Sequence, residues 1–173
     1  KNQWKHDRPL VSCRFDPLGR YVFTGAEDNT VQRFDLKDGK RVVMKAGHKT
    51  WVRAMAFTQD GKFIITGGSE GSLTWWETAA PEPKPIRTVE AHKRWIRSMD
   101  VSPDGSLLAT AGNDAVVRVW NIADGTEMEN LAGHTAPIVA LAMLPDGTAV
   151  SAGANTVRFW NPADGKQTRV ITD

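Results

Sequence analysis

The segment AHKRWIRSMDVSPDG at residues 91–105 occurs three times in this chain with the same layout. The other two copies are GHKTWVRAMAFTQDG at 47–61 and GHTAPIVALAMLPDG at 133–147, and a weaker copy, KHDRPLVSCRFDPLG, lies at 5–19. Self-similarity at a fixed period indicates a repeat architecture, in which each unit buries its apolar surface against its neighbours. We therefore predict one domain, 1–173, made of four repeats at about 5–46, 47–90, 91–132 and 133–173.

The spacing of individual residues within the copies is regular. The histidines lie at positions 6, 48, 92 and 134, which are 42, 44 and 42 residues apart. In the first three copies a threonine follows the histidine by 18 residues and an aromatic residue follows it by 28. These residues are His6, Thr24 and Phe34; His48, Thr66 and Trp76; and His92, Thr110 and Trp120. In the fourth copy Trp160 follows His134 by 26 residues, and Ser151 is the predicted hydroxyl.

Short strand-like runs separated by turn sequences fill each copy. Runs such as SLLATA (106–111) and VVRVW (116–120) are apolar and partly β-branched, and Asp-Gly turns favour tight hairpins. Each copy contains four such runs and no apolar pattern of helix length. Because several runs are apolar on both faces, we expect four-stranded antiparallel sheets that are each stacked between neighbours.

The repeats resemble those of the WD40 family of β-propeller proteins. The resemblance rests on GH at 47–48 and 133–134, PDG at 103–105 and 145–147, and VRVWN or VRFWN at 117–121 and 157–161. The period agrees with the roughly 40–45 residues of a four-stranded blade. The implied fold is all-β, with four WD40-type blades that are completed into a ring by dimerisation or by sequence outside this chain.

The resemblance also implies a buried polar network in each blade, running from a turn acid through the histidine and the hydroxyl to the indole N–H. Buried polar groups need such partners, and a low dielectric strengthens each bond. The predicted members are His6, Thr24 and Asp28; His48, Thr66, Glu70 and Trp76; His92, Thr110, Asp114 and Trp120; and His134, Ser151 and Trp160.

Three repeats depart from the network pattern. Phe34 replaces the tryptophan of repeat 1, so Thr24 lacks an indole donor. Glu70 stands in place of Asp in repeat 2, and repeat 4 offers only Asn155 near the acid position. We therefore expect a complete network only in repeat 3.

An acid, a histidine and a hydroxyl could also form a catalytic triad. However, the same set recurs at the same spacing in three repeats, whereas an enzyme needs one such site. Equivalent histidines on successive blades also point away from one another and cannot converge on one metal ion. We therefore expect no enzyme activity, no metal and no cofactor.

Composition narrows the class of protein further. The chain is 40% hydrophobic with a formal net charge of +2, which is typical of a soluble globular protein and gives no strong field for nucleic acid. No apolar run approaches the ~20 residues of a membrane-spanning helix. Neither nucleic acid nor a membrane is therefore an expected partner. The single cysteine, Cys13, slightly favours a reducing compartment such as the cytoplasm, and in LVSCRF (10–15) it is predicted to be buried.

The candidate partner site consists of Trp51 and Trp95, three residues after their histidines, and Arg53 and Arg97, two residues further on. In the WD40 family partners usually dock where loops gather around the central channel, and Trp and Arg are enriched at binding hot spots. The expected partner is a protein or peptide. The alternative is that both tryptophans only pack against the next blade. Repeats 1 and 4 have proline at the tryptophan position, so the site would be one-sided, or doubled in a dimer.

Basic residues cluster near the same loops: Lys45, Lys49, Arg53, Lys93, Arg94 and Arg97. A phosphate- or nucleic-acid-binding rim is one interpretation, but Glu90 and Asp100 interrupt the run and few aromatic residues are available for stacking. A solvated rim is the favoured interpretation. The proline-rich stretch TAAPEPKPIR (78–87) is interpreted as an extended loop on the opposite face.

Four blades form an unfinished ring with two bare faces. Leaving each face uncovered forgoes about 10 kcal/mol of apolar burial, which rivals the ~5–15 kcal/mol net stability of a domain. We expect a second copy to cover these faces in an eight-bladed homodimer, or further blades of a longer chain to do so. A strained ring of four blades is the lesser alternative. The predicted function is a non-catalytic interaction scaffold. The alternative is a regulatory or positioning module of a larger enzyme.

Overall fold

The computed structural model describes residues 3–172, which form four antiparallel sheets of four strands each. The first sheet, blade 1, contains β1 (Leu10–Phe15), β2 (Tyr21–Ala26), β3 (Val31–Asp35) and β4 (Arg41–Met44). Blade 2 contains β5 (Val52–Phe57), β6 (Phe63–Gly68), β7 (Ser72–Glu77) and β8 (Pro85–Glu90). Blade 3 contains β9 (Ile96–Val101), β10 (Leu107–Gly112), β11 (Val116–Asn121) and β12 (Glu127–Ala132). Blade 4 contains β13 (Ile138–Met143), β14 (Ala149–Gly153), β15 (Thr156–Trp160) and β16 (Gln167–Thr172).

Within each blade the strands pair in sequence order, so every connection is a hairpin. The PDG turn between β9 and β10 shows how the sequence closes one. Gly105 has a φ of 75°, which is a left-handed conformation, and its N–H donates to Ser102 O at 2.8 Å. The carboxylate of Asp104 accepts hydrogen bonds from the N–H and the hydroxyl of Ser106. These local bonds close the hairpin independently of blade packing.

Each junction between consecutive blades has its own apolar core. Between blades 2 and 3, Leu73 and Trp75 pack with Leu108 and Trp120, and all four side chains are buried. Similar cores join blade 1 to blade 2 and blade 3 to blade 4. The inner blades are covered on both faces, which explains why their strands are apolar on both faces. The prediction of an all-β chain with four four-stranded antiparallel sheets is confirmed.

The two end faces lie open. No packed interface joins blade 1 to blade 4 within residues 3–172. Leu131 of blade 3 is fully buried against blade 4, whereas Ile171, at the corresponding position of blade 4, is 42% exposed. At the other end, Phe15 of blade 1 is 66% exposed. The described chain is therefore an open arc with an apolar face at each end.

The prediction that Cys13 is buried is wrong, because its thiol is exposed. The preceding Ser12 donates its hydroxyl to Val52 O of blade 2 at 3.1 Å. Since successive side chains of a strand point to opposite faces, Cys13 points to the open face of blade 1. A strand-like sequence alone does not show that no neighbouring blade covers this face.

The proline-rich stretch forms the connection from β7 and the start of β8. Arg33 of blade 1 anchors the beginning of this connection by donating to the carbonyl oxygens of Thr78 and Ala80, at 2.7 and 2.8 Å. Among residues 3–172 there is no helix whose length and hydropathy would let it cross a membrane.

Candidate binding face at the channel mouth

Two kinds of loop from every blade lie on the same side of the arc, which we call the upper face. This side is distinct from the two open end faces of blades 1 and 4. The loops are the segments entering the first strand, which carry the histidines, and the hairpins between the second and third strands, which carry the acids. Antiparallel strands in sequence order place both kinds of loop at the same end of a sheet. The remaining hairpins, including the proline-rich connection, lie at the opposite lower face.

Blade 3 holds its upper loops through a continuous polar network. Trp120 Nε1 donates to Thr110 Oγ1 at 2.8 Å, and Thr110 Oγ1 lies 2.8 Å from His92 Nε2. His92 Nδ1 lies 2.9 Å from Asp114 Oδ1, and Arg118 donates to Asp114 Oδ2 at 2.8 Å. An indole N–H can only donate, so Thr110 accepts from it and has its own proton to donate to His92. The imidazole then carries its proton on Nδ1 and donates to Asp114.

The carboxylate of Asp114 remains ionised in this setting. Burial opposes its ionisation, but the hydrogen bond from His92 and the hydrogen bond and positive charge of Arg118 outweigh burial. Together they hold the pKa of Asp114 well below its ordinary value. The carboxylate thus remains available as an acceptor for both loops that it joins.

Blade 2 forms the same network through Glu70. Trp76 Nε1 donates to Thr66 Oγ1 at 2.8 Å, and Thr66 Oγ1 lies 2.7 Å from His48 Nε2. His48 Nδ1 lies 2.7 Å from Glu70 Oε1. The expectation that only repeat 3 is complete is therefore wrong, because the additional methylene of Glu70 does not break the link.

Two hydroxyl groups hold the longer side chain of Glu70 in place. Thr50 donates to Glu70 Oε2 and Ser72 donates to Glu70 Oε1, each at 2.5 Å. Burial opposes ionisation of Glu70, but the hydrogen bonds from His48, Ser72 and Thr50 outweigh it and lower the pKa of Glu70 to about 2.

Blade 1 does not assemble the predicted network. His6 Nε2 lies 3.4 Å from Asp28 Oδ2, and His6 Nδ1 accepts a hydrogen bond from the N–H of Arg8 at 3.0 Å. The imidazole therefore does not bond to Thr24 as its spacing predicted. Thr24 Oγ1 is buried and has no hydrogen-bond partner among residues 3–172. The hydroxyl lacks both of its usual partners, because Phe34 has no N–H and His6 lies beside Asp28 instead.

Blade 4 forms a shorter network without an acid. Trp160 Nε1 donates to Ser151 Oγ at 2.8 Å, and Ser151 Oγ lies 2.8 Å from His134 Nε2. The hydroxyl of Thr156 lies 3.2 Å from His134 Nδ1 and takes the place that the sequence suggested for Asn155. The hairpin between β14 and β15 is short, so Thr156, the residue after Asn155, lies beside His134.

A β-bulge lies five residues after the histidine in the first strand of each blade, which we call the inner strand. The register shift leaves Arg53 of β5 and Arg97 of β9 without a paired residue. Val11 and Val139 occupy the same position in blades 1 and 4. A bulge re-aims the side chain of the extra residue. Here it directs both arginines to the upper end of the inner strands, beside the loops that carry the tryptophans.

The structure brings the four predicted partner-site residues together in one group, which we call the Trp–Arg cluster. The guanidinium carbon of Arg53 lies 4.9 Å from the ring centroid of Trp51 and 4.6 Å from that of Trp95. The guanidinium carbon of Arg97 lies 5.6 Å from the ring centroid of Trp95. These distances are in the cation–π range. Both tryptophans remain 38% exposed.

Each guanidinium of the cluster is anchored through its Nε atom. Arg53 Nε donates to Ser69 Oγ at 3.1 Å, and Arg97 Nε donates to Asn113 Oδ1. The terminal nitrogens of both guanidinium groups have no protein acceptor within the described chain. Sequence reasoning missed Ser69 and Asn113. The available signal was that each directly precedes the acid position of its blade.

Further charged residues surround the cluster. Lys49, Lys93 and Arg94 are exposed in the same upper loops. Asp100, one of the acids that interrupt the basic run, accepts a hydrogen bond from Met143 N–H at 2.8 Å. In the part of the chain that the structure describes, no group of three or more His, Cys, Asp or Glu side chains could hold a metal ion.

Comparison with known families agrees with this architecture. The family model described as "WD domain, G-beta repeat" matches residues 3–35, 39–77, 83–121 and 125–161. Nuclear distribution protein nudF of Emericella nidulans is 31% identical over 81 residues, which are 46% of this chain and 18% of that protein. Protein groucho of Drosophila melanogaster is 25% identical over 173 residues, which are 96% of this chain and 24% of that protein. The chain thus spans a quarter or less of these relatives.

Solved structures show the same fold. The structure of U3-55K superposes with a TM-score of 0.88 at 24% identity, covering 98% of this chain and 53% of that one. A chain of the mitotic checkpoint complex superposes with a TM-score of 0.89 at 20% identity, with the same coverage. This chain therefore spans about half the length of each. The four matched repeats and the four stacked sheets show that the chain belongs to the WD40 repeat family of β-propeller proteins.

Proposed function

We propose that the upper face is a non-catalytic binding surface for a protein or peptide, with the Trp–Arg cluster at its centre. WD40 repeats generally mediate protein–protein interactions. The observation that carries the proposal is the cluster itself, in which anchored arginines contact exposed tryptophans on adjacent blades. Such pre-ordered aromatic and arginine side chains lose little conformational entropy when a partner binds.

The simpler alternative is that the cluster only packs blade 2 against blade 3. Two observations favour binding. The junction between these blades already has a buried core that includes Trp75 and Trp120. In contrast, Trp51 and Trp95 are each 38% exposed. Covering them with a partner would remove further apolar surface from water.

Burial of the polar networks supports a non-catalytic role. A nucleophile must touch its substrate, but Thr66 and Thr110 have no exposed surface. Their hydroxyl groups are also committed to an indole and an imidazole. The acid, imidazole and hydroxyl sets are therefore best interpreted as structural bonds inside the blades.

The proposed function is tested by affinity capture with the immobilised chain and its Trp51→Ala and Trp95→Ala variants. Phe63→Ala is the matched control, because Phe63 is 37% exposed but lies on the lower face. We expect each tryptophan variant to weaken capture of partner proteins by at least about tenfold, as loss of a hot-spot residue does. Phe63→Ala should capture as the wild type does. Undiminished capture by both tryptophan variants would contradict the proposal.

We further propose that a second copy closes the two end faces of the isolated chain into a ring of eight blades with two-fold symmetry. The exposed Phe15 and Ile171 at opposite ends support this proposal. Light scattering at micromolar concentration should give twice the chain mass. A monomer with a sharp unfolding transition would contradict it.

The second candidate function is a regulatory or positioning module of a larger enzyme or multidomain protein. It is supported by length, because the chain matches a quarter or less of nudF and groucho. In that arrangement, further blades of the longer chain would take the place of the second copy at the end faces.

A further inference from the structure

We propose that the Trp–Arg cluster recognises an extended acidic peptide, whose carboxylate or phosphate groups bind between Arg53 and Arg97. This inference rests on the proposed function of the upper face and specifies the chemistry of its partner. It depends on three features of the described residues, namely free guanidinium donors, a fixed guanidinium orientation and a local excess of positive charge.

The free donors are the terminal nitrogens of the two guanidinium groups. Their Nε atoms bond to Ser69 and Asn113, and no protein group within residues 3–172 accepts from the remaining nitrogens. A guanidinium matches a carboxylate or phosphate with parallel N–H···O bonds, which are among the stronger hydrogen bonds in proteins. Two such groups on adjacent inner strands provide a pair of anion sites at the channel mouth.

Aromatic contacts and the Nε bonds together fix the orientation of these donors. The guanidinium of Arg53 contacts both tryptophan rings, and that of Arg97 contacts Trp95. An arginine that is free in solution must lose rotamer entropy before it holds an anion. The cluster has already lost much of this freedom on folding, so more of the interaction energy appears as affinity.

The acids nearest the cluster keep their negative charge, but their oxygens accept hydrogen bonds within the blades and none pairs with Arg53 or Arg97. Glu70 accepts hydrogen bonds from His48, Thr50 and Ser72. Asp114 likewise accepts from Arg118, with His92 on its other oxygen. In contrast, Lys49, Lys93 and Arg94 are exposed in the same loops, so cations dominate the upper face of blades 2 and 3.

The flanking blades limit where an anion can bind. Val11 and Val139 occupy the bulge position in blades 1 and 4, so neither blade adds a guanidinium. In blade 1, Glu27 stands at the position equivalent to Ser69, as shown by the matching hydrogen bonds to Pro9 O and Trp51 O. The site is therefore confined to the two central blades. This geometry favours a short acidic segment over a long polyanion such as nucleic acid.

The experiment measures binding of fluorescently labelled peptides to the full chain by anisotropy. Three ten-residue peptides are used, with alternating glutamate and serine, alternating phosphoserine and glycine, or alternating glutamine and serine. We expect the two acidic peptides to bind at least about tenfold more tightly than the neutral one, with affinity that falls as salt rises. The ratio between the acidic peptides identifies which anion the site prefers.

The decisive variant is Arg53→Lys/Arg97→Lys, which keeps both charges but removes the planar donors. It should weaken acidic-peptide binding by about tenfold or more, since each guanidinium–anion bond is charge-assisted. Lys37→Gln/Lys84→Gln is the control, because it removes two exposed charges in loops at the lower face. If the double arginine variant does not fold, Arg97→Lys alone makes the same test.

Three results would overturn the inference. These are equal binding of the neutral and acidic peptides, unchanged binding by the arginine variant, and equally tight binding of a single-stranded oligonucleotide. If the acidic peptides fail to bind while Trp51→Ala and Trp95→Ala still weaken partner capture, the inference fails and the proposed function stands. If partner capture also survives both tryptophan variants, both proposals fail.

Discussion

Thr24 and Phe34 lie on the same face of blade 1, and the buried hydroxyl of Thr24 has no hydrogen-bond partner among residues 3–172. At the equivalent positions of blade 3, Trp120 Nε1 donates to Thr110 Oγ1 at 2.8 Å. The equivalent threonine hydroxyl is therefore hydrogen-bonded in blade 3 and, within the described residues, without a hydrogen bond in blade 1. Two changes account for the difference, because the phenyl ring of Phe34 carries no N–H and His6 lies beside Asp28 rather than Thr24.

This contrast predicts opposite effects for one conservative substitution at two sites. Thr110→Val should lower the free energy of unfolding by about 2–4 kcal/mol, because it leaves both Trp120 Nε1 and His92 Nε2 without a buried partner. Thr24→Val should leave stability unchanged or raise it, because it removes a polar atom that has no partner among the described residues. Urea unfolding of both variants measures the two free energies. Equal destabilisation would show that Thr24 is bonded in solution.

The histidines of blades 3 and 4 should also differ in their contribution to stability. His92 links Thr110 to an ionised Asp114, whereas His134 links two hydroxyl groups. His92→Ala leaves a buried carboxylate without one of its partners, and removal of a partner from a charged group costs more than removal from a neutral one. We expect a loss of about 2–4 kcal/mol for His92→Ala and about 1–2 kcal/mol for His134→Ala. At this chain length each kcal/mol lowers Tm by roughly 2–4 °C, so calorimetry resolves the difference. Equal shifts in Tm would contradict the prediction.

Glu70 should contribute stability that depends on pH. Its pKa is lowered from 4.5 to about 2 in the folded chain, despite the opposing effect of burial, by hydrogen bonds from His48, Ser72 and Thr50. A carboxyl group with a depressed folded pKa stabilises the fold above its unfolded pKa, and this contribution is lost as pH falls towards the folded value. The contribution of Glu70, on the order of 2 kcal/mol, should therefore be present above pH 4.5 and disappear between pH 4.5 and 2.

The measurement compares urea unfolding of the wild type and Glu70→Gln between pH 7 and pH 2. The difference in free energy of unfolding between these two proteins should be constant above pH 5 and shrink below pH 4.5. Glu82→Gln serves as the control, since Glu82 is exposed in the proline-rich connection. A difference for Glu70→Gln that does not change with pH would show that the carboxylate is not held by the network in solution.

The sequence predicted the repeated parts of the fold and not the parts that depend on a particular environment. The His, Thr and Trp spacings located the networks of blades 2 and 3, because those distances are determined by the blade itself. The sequence did not show that Thr50 and Ser72 converge on Glu70, since their hydroxyl groups meet only after two loops have folded together. The exposure of Cys13 was missed for a related reason, because it depends on whether another blade lies beside blade 1.

The Trp–Arg cluster shows the same division. Its four members were predicted from their shared offsets after the histidines. The bulge that directs Arg53 and Arg97 to the channel mouth was not predicted, because a register shift depends on the pairing of two strands and not on the residues of one. The anchoring bonds to Ser69 and Asn113 follow from that shift.

The end faces lead to a complementation experiment that distinguishes ring closure from nonspecific association. In a closed pair of chains, blade 4 of each copy packs against blade 1 of the other, so the two junctions use Phe15 on one side and Ile171 on the other. Phe15→Asp places a charge in both junctions of its own homodimer, and Ile171→Asp does the same from the opposite side. Burial of an unpaired charge is unfavourable, so each variant alone should be monomeric.

An equimolar mixture restores one unmodified junction, formed by blade 4 of the Phe15→Asp chain and blade 1 of the Ile171→Asp chain. Light scattering should therefore show dimers in the mixture. These dimers should be weaker than those of the wild type and should dissociate at a higher protein concentration. Dimers in either variant alone, or monomers in both the wild type and the mixture, would contradict closure through these faces.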